Sequence, residues 1–338
     1  MQTHFFHYQQ PFQLESGEIL PELTLAYATL GTINPARDNI VWFCHALTAN
    51  AIVPEWWPGM IGDGLLFDPA RDFLICANMP GSCYGSTNAL SVNPATGEPY
   101  YHTFPLLTNR DIARAFDLLR QHLKIERIRL ILGGSLGGQQ ALEWAILQPE
   151  VFDYLIPIAT NAQHSPWGIA FNESQRLAIQ ADVTWKNSRP DAGLAGMRAA
   201  RSVALLSYRG YGAYSATQQE STDEKTDDFL ASSYQRYQGD KLVKRFHAFS
   251  YWALSKAMDS HHVGRGRGGV ETALQAIRAK TLVIGLDSDI LFPVNEQKLL
   301  AEHIPGAIYR EISSDFGHDG FLIETEKLTK LIRAFGLS

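Results

Sequence analysis

A single serine, Ser135, stands between two pairs of glycines in the stretch LILGGSLGGQQALEWA at positions 130–145. The motif Gly-x-Ser-x-Gly at a strand-to-helix turn is typical of a nucleophilic serine, because small neighbours allow the strained backbone that exposes the hydroxyl group. The five-residue motif alone fits an incidental serine in a glycine-rich turn equally well. The strand-like run before it and the helix-like run after it favour the nucleophile, and the spacing does not match the G-x-G-x-x-G turn of dinucleotide-binding proteins.

A serine nucleophile needs a base and an orienting carboxylate, which follow a turn of this kind in the order Ser, Asp, His. Asp287 and Asp289 come directly after the apolar run TLVIG, beyond the carboxyl end of a predicted strand, where ligand sites gather. We favour Asp289 as the orienting carboxylate, because Pro293 follows it four residues later. Asp287 is the second candidate, and it could instead cap or shape the turn. His318, in the glycine-flanked stretch DFGHDGF near the C-terminus, is the predicted base.

Two backbone N–H groups should stabilise the negative charge that develops on a substrate carbonyl. One is the N–H of Leu136, directly after the serine, and the other comes from a loop after an early strand. The stretch CHALTAN (44–50) supplies this loop, and we predict the N–H of Leu47 as the second donor, with that of Ala46 as the alternative. His45 is predicted to shape the loop rather than to act as a second base.

The elements that must position these residues follow from the pattern of apolar residues. Five short apolar runs have the length and composition of buried parallel strands. They are NIVWFCH (39–45), DFLICAN (72–78), RIRLILGG (127–134), FDYLIPIAT (152–160) and KTLVIGLD (280–287). In RDIARAFDLLRQHLKI (110–125), apolar residues recur at helical spacing. Strands that alternate with helices predict an α/β fold with a mostly parallel sheet.

The stretch 163–279 is different, because it has helical spacing and no obvious strand. We predict one α/β core, residues 1–162 and 280–338, interrupted by a helical lid insertion over 163–279. Within the insertion, the acidic stretch 218–228 is expected to be a solvated loop or the start of a helix. The glycine-rich stretch 261–270 is expected to be a hinge or loop that returns to the core.

Composition narrows the class of partner. The chain has 338 residues, enough for one large domain with an insertion, and its formal net charge of −6 leaves no basic surface for nucleic acid. No apolar run approaches the ~20 residues of a membrane span, and the first residues lack the features of a signal peptide, so a cytoplasmic location is predicted. Three cysteines without metal-ligand spacing predict neither a disulfide framework nor a metal site. The expected partners are small molecules.

Several longer stretches resemble the homoserine O-acetyltransferase family, a branch of the α/β-hydrolase fold, over about residues 10–325. The resemblance rests on HALTAN, GSCYGSTNALSVNPATGEPY (81–100), FPLLTNRDIARA (104–115), GGSLGGQQALEWA, RYQGDKLVKRF (236–246), DSDILFP and FGHDGF. The block CYGST…NPATG…P is more specific than Gly-x-Ser-x-Gly, which most α/β hydrolases share. The resemblance therefore predicts an α/β-hydrolase fold with a helical lid.

The same resemblance implies a ping-pong reaction. A serine takes an acyl group from acyl-CoA, and the hydroxyl of homoserine then takes it from the serine. Carried onto this chain, Ser135 is the nucleophile, His318 the general base and acid, and Asp289 its orienting partner. Acetyl-CoA is then a co-substrate, no cofactor is bound permanently, and the reaction is a step in the synthesis of methionine.

The resemblance also implies how the amino acid is held. The stretch ARSVALLSYRG (200–210) matches the lid segment that carries an arginine for the substrate carboxylate, which gives Arg201, with Arg209 as the alternative. The aspartate after the histidine, Asp319, would hold the ammonium group. A lid is needed because water would hydrolyse an exposed acyl-serine, and the family predicts a homodimer built through the lids.

Three residues depart from the family pattern. Ala49 follows HALT where the family usually has glycine. The family often has Gly-Gly-Cys where this chain has Gly81-Ser82-Cys83, and His247 replaces a common aspartate. The first two are expected near the substrate tunnel or the oxyanion loop. The donor can therefore be acetyl-CoA or succinyl-CoA, and the acceptor can be homoserine, serine or another hydroxy amino acid. A small-ester serine hydrolase is the alternative activity, and an inactive binding protein is disfavoured because all three triad residue types occur in order.

Overall fold

The computed structural model describes residues 1–337, and an eight-stranded sheet runs through its centre. The strands, in chain order, are β1 (Gln2–Tyr8), β2 (Phe12–Gln13), β3 (Ile19–Leu20), β4 (Leu23–Leu30), β5 (Ile40–Cys44), β6 (Phe73–Ala77), β7 (Ile128–Gly134), β8 (Phe152–Ile158), β9 (Lys280–Leu286) and β10 (Ile308–Ile312). The sheet has the order β1-β4-β6-β5-β7-β8-β9-β10, and β2 pairs with β3 separately. All pairs from β6 to β10 are parallel, whereas β4 is antiparallel to both β1 and β6. The predicted α/β fold with a mostly parallel sheet is therefore confirmed.

The five strands predicted from apolar runs form β5 to β9. Alternate residues of β5 enter two separate hydrophobic clusters, Trp42 in one and Val41 and Phe43 in the other, so both faces of the sheet are covered. Strands buried on both faces give continuous apolar runs, which is why they are recognisable in the sequence. The apolar runs did not reveal β1, β4 and β10, because β1 and β10 are edge strands with mostly exposed side chains and β4 is interrupted by threonine and alanine.

Helices cover the sheet and fill the insertion. In chain order they are α1 (Asn109–His122), α2 (Leu136–Leu147), α3 (Pro166–Gln180), α4 (Leu194–Tyr208), α5 (Tyr211–Gln218), α6 (Leu230–Val243), α7 (Ala248–Asp259), α8 (Val270–Leu274), α9 (Val294–His303), α10 (Gly320–Ile323) and α11 (Thr325–Ala334). The helix predicted over 110–125 is α1, which begins earlier because Thr108 and Asp111 form a capping box. None of the helices in residues 1–337 is long and apolar enough to cross a membrane.

Between β8 and β9 the chain forms the six helices α3 to α8. Helix α3 packs against α4, and α4 packs against α6 and against the short turn Gly317–Asp319 that carries His318. The acidic stretch 218–228 lies at the end of α5 and in the exposed turn before α6. An isolated bridge between Gln163 and His262 joins the two ends of this segment. The insertion thus brings α4 to the loop of the predicted base.

Candidate active site

Ser135 occupies a strained turn between β7 and α2. Its φ of 58° and ψ of −128° lie outside the regions that residues with side chains favour. The turn is held from β8, because the N–H of Ser135 donates to the carbonyl of Ile158 at 3.0 Å and the hydroxyl of Thr160 donates to the carbonyl of Ser135 at 2.8 Å. This geometry is that of a nucleophile elbow, in which the serine hydroxyl stands at the carboxyl end of the sheet.

The glycines of the motif are required by close backbone contacts. A Cβ atom on Gly137 would lie 2.1 Å from the carbonyl oxygen of Cys44, and one on Gly133 would lie 2.5 Å from the carbonyl carbon of Gly137. Both distances are far below contact distance, and the blocking atoms are backbone atoms that cannot move aside. The first turn of α2 can therefore press against the end of β5 only if position 137 is glycine.

His318 and Asp289 form a buried hydrogen-bonded pair. Nδ1 of His318 lies 2.6 Å from Oδ2 of Asp289, and Oδ1 of Asp289 accepts the N–H groups of Leu291 and Phe292, both at 2.9 Å. The structure joins Asp289 to the histidine rather than Asp287, whose carboxylate accepts the N–H of Ser314 at 2.9 Å and shapes the turn. Three hydrogen-bond donors thus satisfy the oxygens of the buried Asp289 carboxylate.

Aromatic rings surround the imidazole of His318 and connect it to the serine turn. The ring of Phe292 stacks on it with centroids 5.1 Å apart, and the ring of Phe321 meets it edge-on at 5.3 Å. A Cβ atom on Gly134 would lie 2.4 Å from Phe321, so this ring touches both the backbone next to Ser135 and the imidazole. The apolar packing fixes the ring plane and excludes water from this side of the site.

The predicted oxyanion donors lie on the two segments that meet at Gly137. Among residues 1–337, the backbone N–H groups of Leu136, Leu47 and Ala46 have no hydrogen-bond acceptor, so each is free to bind a substrate oxygen. His45 is fully buried; its Nδ1 lies 2.9 Å from the carbonyl of Ala46, and its Nε2 accepts the N–H of Met79 at 3.3 Å. Burial lowers the pKa of His45 to about 4, so it is neutral and shapes the loop.

The predicted substrate-holding residues also lie next to His318. Arg209 and Asp319 form an ion pair, with Nε 2.9 Å from Oδ2, although the Nε–H does not point at the carboxylate. Arg201, on α4, lies over the ring of Tyr208, with its guanidinium carbon 5.4 Å from the ring centroid. In residues 1–337 no carboxylate lies within 4.0 Å of its guanidinium. The charge of Arg209 is thus engaged, and Arg201 is open to a carboxylate ligand.

Tyr208 is a residue that the sequence analysis did not single out. Its ring contacts the guanidinium of Arg201 on one side and the imidazole of His318 on another, with ring centroids 5.8 Å apart. Burial raises the pKa of Tyr208, so its hydroxyl stays protonated. The only sequence signal was its position in the lid stretch ALLSYRG, directly before Arg209.

A second, half-buried carboxyl group lies close to Asp289. Glu296, in the first turn of α9, accepts a hydrogen bond from the amide of Asn161 at 2.9 Å. Burial raises the pKa of Glu296 to about 7, and the negative charge of Asp289 adds to the rise. Asn161 accepts in turn from the amide of Gln139 at 2.9 Å, on α2 directly behind Ser135. No local pattern in the sequence indicated this chain of hydrogen bonds.

One of the three departures from the family pattern has a structural explanation. His247 caps the N-terminus of α7, because its Nδ1 accepts the N–H of Ser250 at 3.0 Å as an aspartate oxygen would. Burial lowers the pKa of His247 to about 4, so the ring is neutral and able to accept. Ser82 is fully buried, with a hydroxyl that has no partner in residues 1–337, and nothing in the structure explains Ala49.

Residues 1–337 contain no cluster of three or more histidine, cysteine, aspartate or glutamate side chains arranged to hold a metal ion. The three cysteines are free thiols: Cys44 and Cys76 are buried, and Cys83 is partly buried. Burial raises the pKa of Cys83 to about 11, so it is an unreactive thiol at neutral pH.

The chain matches known proteins along its whole length. The family model described as the alpha/beta hydrolase fold matches residues 39–325. A homoserine O-acetyltransferase from Cyclobacterium marinum is 52% identical over 100% of this chain and 96% of that protein. One from Trichormus variabilis is 45% identical over 99% of this chain and 94% of that protein.

Solved structures show the same fold. The homoserine O-acetyltransferase from Staphylococcus aureus is 28% identical and superimposes with a TM-score of 0.82 over 99% of this chain and 95% of that chain. Esterase E22 is 21% identical with a TM-score of 0.90 over 99% of both chains, so the fold by itself is shared by transferases and hydrolases. The full-length identity to transferases separates the two groups: this chain belongs to the homoserine O-acetyltransferase family of the α/β-hydrolase fold.

Proposed function

We propose that the protein transfers the acetyl group of acetyl-CoA to the hydroxyl of L-homoserine and forms O-acetyl-L-homoserine and CoA, a step towards methionine. The observation that carries the proposal is the 52% identity to a homoserine O-acetyltransferase over the whole chain. The geometry of the site supplies the groups that such a transfer needs.

In the first half-reaction, Ser135 attacks the thioester carbonyl. The bond from Nδ1 of His318 to Asp289 leaves Nε2 of the imidazole free to take the serine proton, and Asp289 stabilises the imidazolium that results. The N–H groups of Leu136 and Leu47 would stabilise the negative oxygen of the tetrahedral intermediate. His318 then gives its proton to the departing thiolate, which leaves CoA and an acetyl-serine.

In the second half-reaction, the homoserine hydroxyl replaces CoA as the partner of His318. Arg201 would bind the substrate carboxylate through two parallel hydrogen bonds, and Asp319 would bind the ammonium group. The ion pair between Arg209 and Asp319 supports this division, because it orients the Asp319 carboxylate and leaves Arg201 as the arginine without an acidic partner nearby. His318 takes the hydroxyl proton as the oxygen attacks the acetyl-serine. It then gives that proton to the oxygen of Ser135 as the bond from the carbonyl carbon to the serine breaks, which releases the ester and restores the free enzyme.

The helices between β8 and β9 would serve as the lid. Helix α4 packs against the His318 turn and carries Arg201, so the same element covers the acyl-serine and positions the acceptor. A covered site favours a bound alcohol over water as acceptor. We further infer from the family a homodimer built through the lids, a cytoplasmic location, and no permanently bound cofactor.

The deciding experiment measures CoA release by the purified protein with acetyl-CoA or succinyl-CoA as donor. Homoserine, serine or water is the acceptor, and the product is identified by mass. O-acetylhomoserine is the expected product, and Ser135→Ala should abolish its formation while the protein stays folded. A succinylated or seryl product would keep the mechanism and change the substrates. Release only to water would instead identify an esterase, in line with the shared fold of esterase E22.

A further inference from the structure

The segment that carries Leu47 is held at both ends by residues that follow β6. At its start, Nε2 of His45 accepts the N–H of Met79 at 3.3 Å. At its end, the N–H of Ala51 donates to the side-chain oxygen of Asn78 at 2.8 Å. These two contacts are buried and belong to the α/β core. Between them, the side chain of Leu47 is buried in the hydrophobic core, and the backbone of the turn at Leu47 and Thr48 is held by further contacts.

The middle of the segment is a tight turn whose outer carbonyl is bound by the insertion. The N–H of Ala49 donates to the carbonyl of Ala46 at 3.1 Å, with Leu47 and Thr48 at the corners of the turn. The carbonyl of Thr48 accepts a hydrogen bond from Nη1 of Arg245 at 2.5 Å. Arg245 lies between α6 and α7, in the stretch RYQGDKLVKRF to which no role has yet been assigned.

Arg245 is itself anchored by the loop after β6. The same Nη1 donates to the hydroxyl of Tyr84 at 2.5 Å, and the thiol of Cys83 lies 3.5 Å from the Arg245 carbonyl. The backbone of Tyr84 is fixed in turn, because its carbonyl accepts the side-chain amide of Asn78 at 2.7 Å. Cys83 and Tyr84 belong to the CYGST block, so three separate family stretches meet at one guanidinium group.

We propose that Arg245 is a positioning residue that orients the Leu47 N–H towards the oxyanion. The inference rests on the proposed function, because it concerns the tetrahedral intermediate of acyl transfer. The peptide planes of a tight turn are coupled through the dihedral angles of its two corner residues. Holding the Thr48 carbonyl therefore restricts the plane that carries the Leu47 N–H. A charged donor is suited to this role, since it makes a stronger hydrogen bond than a neutral one.

Because Arg245 is exposed, a positioning role and a purely structural role predict different effects of replacing it. The side chain lies at the surface, where a polar contact adds little to the free energy of unfolding. An oxyanion donor, in contrast, acts on the reaction rate, and complete removal of one costs about 10²–10³-fold in kcat. In Arg245→Ala the Leu47 N–H group is still present, but its direction is no longer fixed by the contact at the Thr48 carbonyl. We therefore expect a loss of about tenfold in kcat, with the homoserine KM and the thermal midpoint almost unchanged.

The test compares the wild type and four variants for acetyl transfer from acetyl-CoA and for acylation by an aryl acetate, which uses the same oxyanion site. Arg245→Ala should lose about tenfold in both reactions, and Arg245→Lys should recover part of the loss, because an ammonium can still reach the Thr48 carbonyl. Tyr84→Phe should stay near the wild type, since the Thr48 contact remains. The matched control is Arg236→Ala, on α6, whose exposed guanidinium pairs with Asp228.

The outcomes separate the inference from the proposed function. If the wild-type protein does not transfer acetyl groups to homoserine, the proposed function fails. If the wild type is active and Arg245→Ala keeps its full kcat, the positioning role is refuted. It is also refuted if Arg245→Ala lowers the thermal midpoint and all rates together with no recovery by lysine, or if it changes only the homoserine KM.

Discussion

Replacing Asp289 by asparagine should remove almost all acyl transfer and leave the fold intact. Oδ1 of Asp289 accepts the N–H groups of Leu291 and Phe292, and Oδ2 accepts Nδ1–H of His318. The amide oxygen of asparagine must therefore take the Oδ1 position, which turns its NH2 group towards the imidazole. Two donors cannot face each other, so Nδ1 becomes the acceptor and Nε2 carries the hydrogen. In that tautomer His318 cannot accept the proton of Ser135.

The size of the loss follows from this change of tautomer. The same substitution in the serine-protease triad lowers kcat by about 10⁴-fold, which is about 5.5 kcal/mol of activation free energy. We expect a loss of this order, because the Asp289 side chain is fully buried and water cannot replace it as a partner. Asparagine keeps the volume and the number of hydrogen bonds, so the thermal midpoint should shift by no more than about 5 °C.

The assay is CoA release with acetyl-CoA and homoserine, together with thermal unfolding of the same samples. Asp287→Asn is the matched control, since that carboxylate accepts from Ser314 and does not contact His318. It should keep kcat within about threefold of the wild type. The reasoning would be refuted if folded Asp289→Asn kept more than about a tenth of the wild-type kcat, or if the control lost as much activity.

Three further predictions concern substrate binding, the serine turn and the half-buried carboxyl group of Glu296. Arg201→Ala should raise the homoserine KM by tenfold or more, which corresponds to on the order of 1.4 kcal/mol of lost binding free energy. Pre-steady-state acylation by acetyl-CoA should persist in this variant. If Arg209→Ala shows this pattern instead, Arg209 and not Arg201 binds the substrate carboxylate. Gly137→Ala should lower the free energy of unfolding by about 3 kcal/mol or more, because its Cβ would meet a backbone oxygen at 2.1 Å. Gly266→Ala, where the space is open, should cost only about 1–2 kcal/mol for its positive φ in urea unfolding. The folded-state pKa of Glu296 is about 7 against 4.5 for a free carboxyl, so the folded state holds the extra proton and stability should fall as the pH rises from about 4.5 to 7. Glu296→Gln should flatten that part of the pH profile of urea unfolding, and an unchanged profile would contradict the assignment.

Much of the core could be predicted from local sequence patterns. The strands β5 to β9 are apolar along their whole length because both faces of the sheet are covered. The serine turn is equally local, since the glycines at 133 and 137 and the strained Ser135 lie within five residues. The edge strand β10 could not be recognised in this way, because its side chains are mostly exposed and its sequence therefore contains no apolar run.

The sequence by itself determined the residue types, their order along the chain and the strand–turn–helix around Ser135, because these depend on contacts between neighbours. The tertiary structure alone decided that Asp289 and not Asp287 meets His318, and that Arg209 pairs with Asp319 while Arg201 has no acidic partner nearby. Each of these choices is between similar residues a few positions apart. The energies that separate them arise from side chains brought together from distant parts of the chain, so a local pattern could favour Asp289 but could not decide the choice.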